Sequence, residues 1–214
     1  MPSLGTFLAF AGAAIALIVV PGPAVLYIVG RSVSQGRSHG LISALGVSTG
    51  VLFHTAAAAL GVSVIVARSA LAFSLLKYAG AAYLIFLGVQ KIRRPSTLTA
   101  ALADQKPLSM RRTYTQGLIV NILNPKTALF FLALLPQFVD TDRGPAAPQV
   151  VALGLLFAVL ALISDSTWAL VSSSVAGRLR RSDKALRRLD RGAGVVFIGL
   201  GVLAALSQRP QTRP

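Results

Sequence analysis

With 214 residues, 54% of them hydrophobic, only 13% charged and a mean hydropathy of +0.70, the chain is too apolar for an ordinary soluble domain and belongs in lipid. Its 21 lysines and arginines against 6 acids give a net charge of +15, yet the basic residues fall in short clusters between apolar runs and no basic face carries interleaved aromatics, which favours anionic membrane lipid over nucleic acid as the partner. The absence of cysteine rules out disulfides, thiolate metal sites and cysteine nucleophiles.

Crossing about 30 Å of hydrocarbon takes roughly 20 apolar residues. Runs of that kind lie at 4–29, 40–67, 69–90, 113–139, 150–176 and 192–207, so the sequence predicts an all-α integral membrane protein of six transmembrane helices. No basic residue precedes Arg31, and the first run exceeds a signal-peptide core, so it reads as a retained span. The sixth run is short; if it does not cross, five spans and a re-entrant end remain. The whole chain, 1–214, reads as one membrane domain: a three-helix half at 1–90, a basic cytoplasmic linker at 91–112, a second three-helix half at 113–207 and a tail at 208–214.

Lysine and arginine in short loops stay on the cytoplasmic side. The segment after the first run holds Arg31 and Arg37; the one after the third holds Lys91, Arg93, Arg94, Lys106, Arg111 and Arg112; the one after the fifth runs from Arg178 to Arg191. Together they carry 15 of the 21 basic residues. Both termini are therefore expected outside a bacterial inner membrane. An odd number of spans per half inverts one half relative to the other, the inverted-repeat arrangement of many transporters. Each half also opens with a span interrupted by proline, at Pro21-Gly22-Pro23 and at Asn124-Pro125.

Proline lacks an amide hydrogen and clashes with the carbonyl one turn back, so these positions open the helix ladder. Freed carbonyls at membrane depth must face protein or a water-lined cavity, where they could coordinate a polar substrate or an ion; a simple packing kink is the plainer alternative. Lys126 follows the second break inside an apolar run. It reads either as a ligand for a carboxylate or as half of a structural ion pair. Asp165 is the only carboxylate within any of the six runs. It could hold a substrate ammonium, carry a proton, or neutralise Lys126 or Lys77.

His54 reads as an interhelical hydrogen bonder before a proton relay, and Lys77 as a polar residue at membrane depth or near the end of its span. Gly46 and Gly50, four apart, suggest close helix packing or a dimer contact, and the hydroxyls of Ser164, Ser166, Thr167 and Ser172 to Ser174 read as helix packing. No glycine-rich phosphate loop, zinc-binding helix or nucleophile elbow is present, so neither an enzyme nor a cofactor is implied, and ion-gradient coupling is the default for a transporter.

Four segments carry a family resemblance: Pro21-Gly22-Pro23; Gly46 to Gly61 with His54 between; Lys77-Tyr78-Ala79-Gly80-Ala81-Ala82-Tyr83-Leu84-Ile85-Phe86-Leu87-Gly88; and Asn121-Ile122-Leu123-Asn124-Pro125-Lys126 running on to Pro136-Gln137-Phe138. With the length and the basic linker, they resemble the lysine exporter (LysE/RhtB) family of bacterial amino-acid exporters over essentially the whole chain. The resemblance implies efflux of amino acids or related metabolites, driven by a proton or sodium gradient, from a homodimer or other small homo-oligomer. It places Pro21, Gly22, Pro23, Asn124, Pro125, Lys126 and Asp165 on the family's pattern. Competing expectations are a non-transporting assembly or sensor protein and a passive channel.

Overall fold

A computed structural model describes residues 1–68, 70–93, 107–174, 191, 195–196, 198–202 and 204–206. Among these residues the secondary structure is entirely helical. Helix α1 (Leu4–Val19) starts at Ser3, whose hydroxyl accepts the Thr6 amide at 3.1 Å. It stops because Pro21 has no hydrogen to donate; Val20 turns extended, with ψ 120°. Gly22 then caps α2 (Pro23–Gln35), whose Pro23 sits at the first turn, where a missing N–H is harmless. The axes of α1 and α2 differ by 53°.

The turn out of α2 falls on Gly36, whose φ of +87° is a conformation that side chains disfavour. Helices α3 (Arg37–Arg68) and α4 (Ala70–Arg93) follow. Helix α5 (Met110–Ile122) is capped by Ser109 and ends at the second break. There the Asn124 carboxamide accepts the Lys126 amide at 3.1 Å and opens the short α6 (Pro125–Leu129). One π-helical turn (Phe130–Leu134) and one 3₁₀ turn (Leu135–Phe138) complete this span, bent by 44° from α5. After a 3₁₀ turn at Thr141–Arg143 comes α7 (Ala146–Ser174).

Among the described residues two helical stretches are long and apolar enough to cross a membrane, Arg37–Gly61 and Ala146–Ser174, and the two bent pairs bring the number to four where each pair forms one span. Helix α4 contributes a shorter apolar stretch at Ala81–Gln90. Helical residues occur within the expected sixth run, at 195–196, 198–202 and 204–206. The Lys77 side chain, linker residues 94–106, the basic segment 175–190 and the tail from 207 onward lie outside the described residues.

The surface is inverted relative to a soluble protein. Leu8, Ile15, Phe53, Leu60, Val159 and Ile163 are exposed, whereas Arg31, His54, Asn121, Asn124, Lys126 and Asp165 are buried. The apolar interior centres on Phe10, Leu17, Phe130, Phe131, Leu153 and Phe157, with ring contacts at 5.0–5.6 Å between Phe130 and both Phe10 and Phe157.

Helix α3 packs most extensively on α5 and α7. Its glycines explain the closeness to α5: a Cβ on Gly46 would overlap the Tyr114 carbonyl, and one on Gly50 would come within 2.8 Å of the Asn121 Cβ. From the other side, a Cβ on Gly117 would meet the Ser43 carbonyl at 2.8 Å. The Gly46 and Gly50 pair is thus an internal helix contact, held by van der Waals approach as in lipid.

Arg31 corrects one reading. It does not lie in a loop after the first span, because α2 runs on to Gln35. Only 8% exposed, it donates to the Gln35 and Gln116 carboxamides at 2.9 and 3.3 Å and stacks over the Tyr27 ring. These partners offset much of the cost of burying a guanidinium, so the helix need not stop before it.

Candidate functional site: two helix breaks that meet

In a continuous α1 the Leu17 carbonyl would accept the amide of residue 21, but residue 21 is proline. The Lys126 ammonium accepts this role from another span, donating to the Leu17 carbonyl at 3.2 Å and the Val20 carbonyl at 2.8 Å. Lys126 is 6% exposed, and its stem lies over Gly22, where a Cβ would stand 3.2–3.4 Å from Cδ, Cε and Nζ. The glycine between the prolines therefore makes room for the lysine.

The second break repeats the pattern. Pro125 cannot engage the Asn121 carbonyl four residues back, and that carbonyl instead accepts the Asn124 amide at 3.0 Å and faces His54 Nε2 at 2.9 Å. A carbonyl only accepts, so Nε2 carries a hydrogen. The Asn121 side chain ties the break to its surroundings: it donates to the Val47 carbonyl at 2.8 Å and accepts from Thr127 at 3.0 Å and from the Asn124 amide group at 3.4 Å.

Between the breaks lies a cavity of about 30 Å³ lined by Lys126, Asp165, Asn121, Asn124 and Thr127 with Leu17, Ala24, Val25 and other apolar residues. That volume suits about two water molecules and is too small for an amino acid. Asp165, on α7, is 4% exposed. The C-terminal carbonyl end of α1 and the N-terminal end of α2, with Ala24 and Val25, border the same space, so partial charges of both signs face it.

The structure brings Asn124, Lys126 and Asp165 together at this cavity; Gly22 lies under the Lys126 stem, and Pro21, Pro23 and Pro125 form the two breaks without being among the lining residues. The carbonyls expected to receive a foreign cation hold Lys126 here. His54 is not among the lining residues; it anchors the Asn121 carbonyl from α3. The hydroxyls of Thr167, Ser172, Ser173 and Ser174 bond carbonyls of their own helix. Asn121 is the residue that sequence reasoning left without a role, although its place four residues before Pro125, in an apolar run, is a usable signal.

A helical membrane protein with charged groups enclosed where two proline-broken spans meet has the build of a membrane transporter. The chain belongs to the LysE type translocator family, whose pattern matches residues 15–208. It is 32% identical to an uncharacterized membrane protein of Vibrio cholerae over 94% of this chain and 97% of that one. It is 30% identical to the homoserine/homoserine lactone efflux protein of Salmonella typhimurium, covering 88% and 90% of the two chains, and 26% identical to the threonine efflux protein of Escherichia coli, covering 94% and 98%. No solved structure matches the chain significantly.

Proposed function

We propose that the chain exports amino acids or closely related small metabolites from the cytoplasm across a bacterial inner membrane, driven by an ion gradient. The observation that carries this reading is the placement of one ammonium, Lys126, and one carboxylate, Asp165, on a single cavity between two broken spans. A zwitterionic amino-acid backbone needs both signs of charge within one site, and the efflux names of the Salmonella and Escherichia relatives point to the same substrate class.

On this reading the substrate carboxylate faces Lys126 and the amide end of α2, while the ammonium faces Asp165 and the carbonyls freed at the first break. Six spans form two inverted halves, both termini lie outside, and the halves rock about the central site to alternate access. The small cavity has to widen to admit a substrate. The assembly is a homo-oligomer, a dimer in its simplest form, surrounded by anionic lipid at its basic face. Efflux from preloaded cells tests the reading: Lys126→Met lowers export at least tenfold while the protein stays in the membrane, and export at the parental rate removes Lys126 from the mechanism.

A further inference from the structure

The carbonyls of Leu17 and Val20 already hold a primary ammonium, and that ammonium belongs to the chain. We infer that these two carbonyls form a primary-ammonium site which Lys126 fills in the substrate-free form and yields to the ammonium of an incoming substrate; this rests on the amino-acid reading above. Three features point the same way. Pro21 leaves the Leu17 carbonyl with no helical donor, so the site needs a donor from elsewhere in every state of the cycle. Lys126 supplies it from across the interface between the two breaks, at 3.2 and 2.8 Å. Lys126 also lines the small cavity that Asp165 lines, with only a hydrogen at Gly22 beneath its stem, so its ammonium can swing off the carbonyls without meeting a side chain at that position.

The exchange gives Lys126 two positions with distinct partners. On the carbonyls it closes the site and keeps the first break satisfied. Displaced by a substrate ammonium, which satisfies the same carbonyls, it is released toward the substrate carboxylate. A molecule with only one of the two groups cannot complete the exchange: a carboxylic acid without the amine leaves the carbonyls to Lys126, and an N-acetylated amino acid offers no ammonium.

Two measurements test it. Lys126→Ala removes three carbons and the ammonium, the size of n-propylammonium. Purified full-length Lys126→Ala should melt lower than the parent and regain about 2–4 °C, saturably, with n-propylammonium. Tetramethylammonium, which has no N–H, should leave it unchanged, and the parent should respond to neither. Equal rescue by both ions, or by neither, overturns the site. This measurement uses no amino acid, so it is decided separately from the export reading.

The second measurement keeps the idea testable if Lys126→Ala does not fold. In the parent protein, reductive methylation followed by peptide mass spectrometry should find Lys126 protected without substrate and at least threefold more modified with an exported amino acid. The N-acetyl derivative should leave protection intact. Unchanged protection with a substrate that the cells demonstrably export overturns the exchange while leaving the export reading standing.

Discussion

Lys126 donates to the carbonyl of Leu17 across 109 positions of sequence, and that carbonyl is the one that Pro21 cannot engage. The two broken spans thus complete each other, since the cation planted by the second break closes the gap opened by the first. Replacing Lys126 by Met removes both donated bonds and the charge. Export is expected to fall roughly 10–100-fold or more, the equivalent of about 1.5–3 kcal/mol for a charged hydrogen bond. The melting temperature should fall as well, because two buried carbonyls lose their donor. Efflux assays normalised to membrane-inserted protein check the first effect, and thermal denaturation in detergent checks the second.

Asp165→Asn keeps shape and removes charge. If the carboxylate faces the substrate ammonium, export drops roughly tenfold or more while the protein inserts and melts much as before. A variant that exports at the parental rate would leave Asp165 outside the transport cycle.

His54 and Asn121 divide into an anchor and a hub. His54→Leu leaves the Asn121 carbonyl its bond from the Asn124 amide and should cost on the order of 1 kcal/mol. Asn121→Leu strips partners from Val47, Thr127 and Asn124 at once and should cost more, about 2–4 kcal/mol. Thermal melting of the two variants side by side gives the order. Loss of export in His54→Leu with no change in melting would instead make the histidine a proton carrier.

Glycines of the tight interface and of the lipid face should part company. At Gly46 a Cβ overlaps the Tyr114 carbonyl, so Gly46→Ala should destabilise by about 1–3 kcal/mol. Nothing lies within 4 Å of a Cβ on Gly12, an exposed position of α1, where alanine should be neutral or gain up to about 1 kcal/mol. Fluorescence-detected melting of the two variants makes the comparison.

The chain contains no cysteine, so single introduced cysteines report orientation without background. Ser38→Cys, at the start of α3, should be protected from a membrane-impermeant maleimide in intact cells, whereas Asp142→Cys, within the 3₁₀ turn at Thr141–Arg143, should be labelled. The reverse pattern would invert the proposed topology and turn the export reading into uptake.

The breaks were legible in the sequence because their cause is local: proline carries no amide hydrogen wherever it sits. Lys126 and Asp165 stood out for a similar reason, as single charges within apolar runs. What could not be read was which group satisfies each freed carbonyl. That answer depends on how segments 106 to 109 residues apart in sequence pack. Arg31 was misplaced because a basic residue after an apolar run reads as loop, whereas partners such as Gln116 and Tyr27, distant in sequence or on its own helix, help to make its burial tolerable. Gly46 and Gly50 announced a close contact, but not that α5, rather than a second copy, fills it. The π-helical turn after α6 left no sequence signal beyond its proximity to Pro125.

The most direct test of export is efflux from cells expressing the chain, preloaded with a panel of amino acids including homoserine and threonine, with and without an uncoupler. Selective export of one class that stops when the gradient collapses is the expected result. Export that ignores the uncoupler would make the chain a passive channel, and no export of any amino acid from folded, inserted protein would contradict the central claim.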